Sequence, residues 1–508
     1  MIIPQITLRG RRLYLLVKIV CGVSFMMYGY DAGVLGGVLL HQPFLDAIGN
    51  PTNDTIIPMI VSSYDLAAAV TAIVLAFFAF RMGRKGTIIL GNIAAIIGSV
   101  IQATSYSVAQ LIVGRLVQGI SIGAISSAVP TYLSETGVEI GDRGPANALN
   151  AILLIRGVPL AYWVDYGFTM MNNQASWRVP IIFQCVFAIV SGGTMLFLPD
   201  TPRWYYARNR WEEGDAVLAQ LHDTGVDDER VQSTRREILA AIEAELEANA
   251  SLDWKPFLTM GIVDKSRMKI VRRICMCFWL PMIREWMGSS LIAYYMSFGR
   301  LWLSRLWSLC CQVCSTSSLR SAVCHSTSLW KKSAAGQILL YGAIAMTTLL
   351  TIFTVLVALG SGSESRDWAA VGIIFIFLFV FGWTWQGSVW LYCSEIAPLE
   401  YRHIGAAATA CGEWLMTFIT VFAGPIGFER IGWYFWLWVI SGNLVAIVFV
   451  FLLCPETGGK TFEQVDYLFV RKGFAGLRSN FDITIEDMEG APKEEKLVVD
   501  HLEIAKKR

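Results

Sequence analysis

Charge is scarce in this chain. Of 508 residues only 16% are Asp, Glu, Lys or Arg, and 41 basic against 40 acidic side chains leave a formal net charge of +1. Such a balance offers no basic face for nucleic acid and no acidic tail for a basic partner. Histidine is scarcer still, with 5 residues. No His/Cys pairs fall at metal-ligand spacing, so neither a metal nor another cofactor is expected. The 11 cysteines are scattered without a disulfide pattern, and the densest group, "CCQVC" at 310–314, has no second ligand pair nearby. A phosphate-binding loop and a nucleophile–base pair are missing too, which argues against an enzyme, and no catalytic residue is assigned. No cleavable leader is expected either: Arg9, Arg11 and Arg12 precede a long apolar run that lacks a small-residue cleavage site.

Hydrophobic residues, by contrast, make up 55% of the chain, with 44 glycines and 18 tryptophans. The mean hydropathy is +0.51. These values point to a polytopic membrane protein with the lipid bilayer as its obligatory partner. Apolar runs of the roughly 20 residues needed to cross a bilayer lie at 15–39, 57–80, 87–106, 108–131, 146–168, 178–199, 273–297, 337–360, 368–393, 404–427 and 432–454. That makes eleven. Most are interrupted by Gly, Ser or Pro, as suits helices packed against one another in lipid. A charged segment over 200–270, including "RREILAAIEAELEANA", has the periodicity of amphipathic helices at a membrane surface. From Thr457 onward the chain is polar and reads as a disordered tail.

Lys and Arg placement sets the expected topology. The N-terminus, the "RMGRK" turn at 81–85, the 200–270 segment and the tail are basic, whereas "HQPFLDAIGNPTNDTIIP" after the first run has no Lys or Arg. Both ends are therefore expected in the cytoplasm, and Asn53, in the sequon Asn53-Asp54-Thr55, faces outward as a glycosylation acceptor. Two cytoplasmic ends require an even number of spans, and the place of the missing one holds "FGRLWLSRLWSLCCQVCSTSSLRSAVCHSTSLWKKSAAGQ" (298–337), a polar, Ser- and Cys-rich stretch with five Lys and Arg.

The two halves echo each other. "LSETGVEIGDRGPANA" follows the fourth run and "CSEIAPLEYRHIGAAA" begins before the tenth; "PDTPR" (199–203) ends the sixth and "PETGGKT" (455–461) the last. Duplicated six-helix halves are a transporter architecture, with a substrate site near the bilayer midplane between them. The expected boundaries are an N-terminal half over 1–199, a cytoplasmic linker over 200–270, a C-terminal half over 271–456 and a cytoplasmic tail over 457–508.

With "YGYDAGVLGG" (28–37), "RMGRK" (81–85), "GRLVQG" (114–119), "PTYLSE" (130–135), "AYWVDYGF" (161–168), "PDTPRW" (199–204), "WLYCSEIAP" (390–398) and "PETGGKT" in this order, the chain resembles the sugar porter family of the major facilitator superfamily, in a version similar to fungal sugar/proton symporters. The resemblance runs from Tyr28 to Asp466. It implies an all-α integral membrane protein of twelve transmembrane helices in two pseudo-symmetric six-helix halves. The implied activity is transport of a sugar, polyol or sugar-like acid by alternating access, with a proton as second substrate where coupling exists. The opening anomaly has a reading in the same light. Taking the last base of each codon with the first two of the next, Cys310-Cys311 must encode Leu and Trp330-Lys331 must encode Glu. Synonymous choices elsewhere permit an apolar helix that ends in "EKVGRR", so residues 298–336 read as a degraded or frame-shifted eighth span. Left as written, that span puts several charges into lipid, each costing about 2.5–3.5 kcal/mol on insertion scales.

Asp31, inside the first run, carries that same cost, and so does Arg115 in the fourth; a facing pair relieves both. The resemblance implies that they form the proton-coupling pair, while a purely structural ion pair is the plainer alternative. It further implies cytoplasmic gating salt bridges from Arg81, Arg84, Glu135, Arg143, Glu395 and Arg402, with Phe80 standing where the family has an acid. At the implied substrate site the family's paired glutamines fall on Arg284 and Glu285, its asparagines on Ser290 and Glu413, and its aromatics on Tyr294, Tyr295, Trp390 and Trp414. Stacking on indole with polar groups holding hydroxyls is the expected chemistry for a sugar. The charged residues either grip hydroxyls, recognise an acid or neutralise one another. A sugar sensor of the same fold and a nonfunctional relic are the competing readings.

Overall fold

The computed structural model describes residues 7–39, 41–51, 53–137, 143–171, 173–251, 269–295, 335–360, 363–398, 401–457, 465 and 469. Each of the eleven apolar runs corresponds to helix: α1 (Gly10–Val38), the two arms of α3 (Ile56–Ala103), α4 (Val108–Thr136), α5 (Arg143–Thr169), α6 (Ala175–Met195), the α10–α11 pair (Ile270–Trp286, Ser289–Tyr295), α12 (Ala335–Ala358), α13 with α14 (Glu364–Thr384, Ser388–Ile396), α15 (Arg402–Ile431) and α16 (Phe435–Leu453). Eight helical stretches among the described residues are long and apolar enough to cross a membrane, the last of them running through α15 and α16. The anomalous 298–334 stretch lies outside the described residues. A short α2 (Gln42–Ala47) follows α1 in the first loop.

The "RMGRK" segment departs from the expected turn. α3 runs through it, broken only at Gly83 (φ +79°, ψ 167°). A left-handed φ favours glycine, and a β-carbon there would sit 2.1 Å from the Asp200 carboxylate. Close backbone approach also sets the α1–α5 crossing: a β-carbon on Gly157 would lie 2.3 Å from the Met26 carbonyl, and in the second half one on Gly412 would lie 2.1 Å from the Phe278 carbonyl. Without a hydrophobic drive between helices in lipid, small residues that let backbones touch supply the packing.

The 200–270 segment contributes α7 (Pro202–Tyr206), α8 (Trp211–His222) and α9 (Glu229–Ser251), with 252–268 outside the described residues. α8 is seated against the α1 region. Its apolar side packs on protein, with Val217 and Leu221 joining Leu13, Val17 and Tyr205 in one buried cluster, and the Gln220 amide donates to the Leu8 carbonyl at 2.8 Å. Burial on α1 takes up the hydrophobic stripe that sequence periodicity could only assign to some apolar surface.

The duplication read from the motifs extends to side-chain geometry. The Tyr132 hydroxyl donates to the Pro199 carbonyl at 2.7 Å, and the Tyr392 hydroxyl to the Pro455 carbonyl at 2.9 Å. Asp200 accepts from the backbone N–H groups of Arg84 and Lys85 at 3.2 and 3.3 Å. Glu456 accepts from those of Gly336 and Gln337 at 3.0 and 3.4 Å. Each half thus seats an acid from its C-terminal end on the exposed amides that begin another helix or arm.

Candidate substrate and proton site

Two buried charge clusters face each other across the seam between the halves. In the first, Arg115 of α4 donates through Nη1 to both oxygens of Asp31 of α1, at 3.1 and 3.2 Å. Its Nη2 donates to the Val61 carbonyl at 3.1 Å, and the guanidinium lies 4.0 Å from the centroid of the Tyr64 ring. Both residues are 1% exposed. One-turn spacing places Gln118 beside them, donating to Gln184 of α6 at 2.8 Å. The pairing expected for Asp31 and Arg115 is therefore present, and the charge-assisted contact of one guanidinium nitrogen with both carboxylate oxygens offsets part of the desolvation of both.

The second cluster grows from a break in the seventh span. α10 ends at Trp286, Gly288 takes a left-handed φ of +98°, and α11 restarts at Ser289. The break turns hydroxyls back toward α10. Ser290 donates to Glu285, and Ser289 lies 3.4 Å from the same carboxylate. Arg284 bridges Glu285 and Glu413 of α15, and its Nη1 donates to the Gln386 amide oxygen at 3.1 Å. A discontinuous helix that offers polar groups at mid-bundle is the usual way transporters build a binding site. Between the clusters lies an aromatic joint. Trp414 of α15 sits 5.3 Å from Tyr28 and 6.2 Å from Tyr64 (ring centroids), its indole N–H is 3.4 Å from the Ser126 hydroxyl, and Trp390 packs against the same group.

Among the residues expected to gate, Arg84 pairs with Glu135 at 2.8 Å. Glu395 accepts from the Thr457 hydroxyl at 2.7 Å. The Arg81 side chain lies over the Phe78 ring, and among the described residues no carboxylate pairs with it. The side chains of Arg143, Arg402, Tyr294 and Tyr295 lie outside what the structure describes. Sequence reasoning passed over Asp65, Tyr28, Tyr64 and Gln386 at the centre, and Asp200 beside the 81–85 segment. Asp65 carried the same signal as Asp31, a carboxylate inside an apolar run. Asp200 reaches the 81–85 segment from a distance along the chain that no local motif reveals. Burial raises the Asp200 carboxyl above the usual range, against the opposing pull of the Thr201 and Lys85 amides.

The profile of the sugar (and other) transporter family matches residues 16–469. The chain belongs to that family. Among its relatives are the MFS-type transporter oryC of Aspergillus oryzae, 29% identical over 91% of this chain and 86% of the relative, and the sugar transporter STL1 of Saccharomyces cerevisiae, 27% identical over 91% and 82%. The arabinose-proton symporter of Escherichia coli is 27% identical over 92% of this chain and 94% of that one. Among solved structures, the proton:xylose symporter XylE bound to 6-bromo-6-deoxy-D-glucose superposes with a TM-score of 0.75 at 19% identity, covering 91% of this chain and all of the other. The sugar transporter fold, of twelve helices in two six-helix halves, is thus the fold of this chain; residues 298–334, where the eighth helix is expected, lie outside the described residues. Members of this family are multi-pass membrane transporters, not enzymes.

Proposed function

We propose that the chain is a secondary transporter that carries a neutral sugar or polyol by alternating access, coupled to protons through Asp31 and Arg115. The observation that carries this reading is the buried, bidentate Asp31–Arg115 pair beside the aromatic joint. When Asp31 takes up a proton, its charge vanishes and Arg115 loses its counter-ion. The guanidinium then moves toward other acceptors, which biases the rocking of one half against the other. Relatives whose names include an arabinose-proton symporter and a sugar transporter support the substrate class.

An acidic substrate is disfavoured by the second cluster. Arg284 is already matched by Glu285 and Glu413, so an incoming carboxylate would meet an excess of negative charge. Hydroxyls suit the site better, because Glu285, Glu413 and Gln386 accept hydrogen bonds and the Trp390 and Trp414 faces take the apolar side of a ring. Arg84 with Glu135, and Glu395 with Thr457, would hold cytoplasmic helix ends together while the outer side is open. Both termini are assigned to the cytoplasm, Asn53 to the outside and the chain to the plasma membrane. The relic reading rests on residues 298–336 as written, and the transcript sequence across codons 290–340 decides it.

Uptake of radiolabelled hexoses, pentoses and polyols in cells without their own sugar transporters tests the proposal. Saturable uptake that collapses with a protonophore is the expected result. Uptake unchanged by the protonophore removes the coupling, and no uptake of any neutral polyol removes the substrate class.

A further inference from the structure

In the centre of the bundle one of four carboxylates lacks an ion-pair partner among the described residues. Asp31, Asp65, Glu285 and Glu413 face two guanidiniums, Arg115 and Arg284, and all six side chains are buried. Arg115 is matched by Asp31, and Arg284 by both glutamates. Asp65, in the first arm of α3, is 0% exposed and forms no ion pair among the described residues; neither of its oxygens meets full hydrogen-bond geometry there, and the adjacent Tyr64 is its hydrogen-bonding neighbour. Its surroundings are nonetheless charged. Arg115 from α4, Asp31 from α1, Glu285 from α10 and the neighbouring Tyr64 all act on it. Glu413 of α15 shares with it the neighbourhood of the Tyr28 hydroxyl, while α6 contributes only the neutral Gln184 to this region. An ionised Asp65 in this setting would be an uncompensated buried charge, which proteins avoid by protonation.

We propose that Asp65 is a second proton-binding carboxylate, one that alternates with Asp31 as the counter-ion of Arg115. This rests on the proton-coupled reading above. With Asp31 ionised and holding Arg115, Asp65 carries a proton. When Asp31 binds a proton from the outer side, Arg115 is released toward Asp65, whose O–H bond breaks and whose proton leaves to water on the inner side. The Asp65 carboxylate then takes over the guanidinium. Transfer of the Asp31 proton to Asp65 resets the site, and one proton has crossed. Arg115 is poised for the exchange: it is anchored by Val61 and by the Tyr64 ring, and Tyr64 is the residue adjacent to Asp65. The Nε of Arg115 has no acceptor among the described residues, so a second carboxylate can be gained without displacing the Val61 bond.

The test compares wild type, Asp65→Asn and Asp65→Glu in cells without their own sugar transporters, at matched surface expression, by substrate accumulation and by alkalinisation of the medium during uptake. One coupled proton permits up to about tenfold accumulation per pH unit of inward gradient. Asp65→Asn, an isostere of the neutral acid, is expected to retain exchange of labelled for unlabelled substrate, but to bring the accumulation ratio to about one and abolish alkalinisation. Asp65→Glu, which keeps an acid, is expected to restore both with a displaced pH profile. Full accumulation by Asp65→Asn overturns the proposal, because a permanently neutral, merely structural acid predicts that result. If the Asn variant does not reach the surface, Asp65→Glu decides: coupled transport with a moved pH profile supports the exchange, and an unmoved profile overturns it. A wild type that transports without alkalinisation removes the coupled reading itself, and this inference with it.

Discussion

Buried ion pairs are asymmetric in energy: losing one partner costs far more than losing both. Arg115→Leu leaves Asp31 without its counter-ion at 1% exposure, and a loss of about 3–5 kcal/mol is expected. Asp31→Asn combined with Arg115→Leu is expected to recover most of it. Thermal unfolding in detergent measures both, and equal destabilisation by the single and double variants would show that the pair is not coupled. At the second cluster, Glu413→Gln keeps an acceptor for Arg284 but removes a charge. The fold should survive, with KM for substrate raised about tenfold or more, a change worth about 1.4 kcal/mol; an unchanged KM would take Glu413 out of the substrate site. Asp31 and Arg115 were legible in the sequence because ionisable residues in apolar runs need each other. Glu413 and Arg284 were legible as site positions, and their mutual neutralisation as one of three alternatives; choosing among these needed the fold, because the bridge joins residues far apart in the chain.

At the scale of elements, the Gly83 break in α3 lets the chain pass directly from the second span into the third. Gly83→Ala imposes a side chain on a φ of +79° and drives a β-carbon into Asp200. A cost of roughly 1–3 kcal/mol is expected, read as a lower unfolding temperature and slowed exchange of substrate. An unaffected variant would mean that the break relaxes freely. Asp200 adds a pH dependence with a definite sign. Because burial raises its carboxyl in the folded protein, the folded state binds this proton more tightly than the unfolded chain. Its contribution is therefore largest below the ordinary carboxylate range and is lost as pH rises through the raised value. Asp200→Asn should flatten that part of the stability–pH curve, as measured by thermal unfolding across the acid range. Helix positions were legible from hydropathy alone, since run lengths are set by bilayer thickness. The single-residue break was not, because Lys and Arg at 81–85 look the same in a turn and in a helix whose basic residues reach out at its ends. The seat of α8 on α1 was hidden for a similar reason: a hydrophobic stripe does not say whether lipid or protein covers it.

For the whole molecule, two halves that repeat the Tyr132–Pro199 and Tyr392–Pro455 contacts meet at a shared centre in which α15 packs against α3 and α4. The repeat was visible in the motifs, whereas the joint of Tyr28, Tyr64, Ser126 and Trp414 needed both halves in place. The loop that carries Asn53 has an exposed sequon, closed by bonds from the Thr55 amide and hydroxyl to the Asn53 side-chain oxygen at 3.0 and 2.8 Å. If this loop is outside, glycosidase treatment should increase the gel mobility of the wild type and leave Asn53→Gln unchanged; equal mobility in all samples would remove the assignment. The central claim, proton-driven movement of a neutral sugar or polyol, is tested most directly in proteoliposomes holding the full chain with an acidic exterior. Labelled substrate should accumulate above its external concentration, and Asp31→Asn should only equilibrate it. A wild type that merely equilibrates substrate under the same gradient, or moves none, would contradict the account.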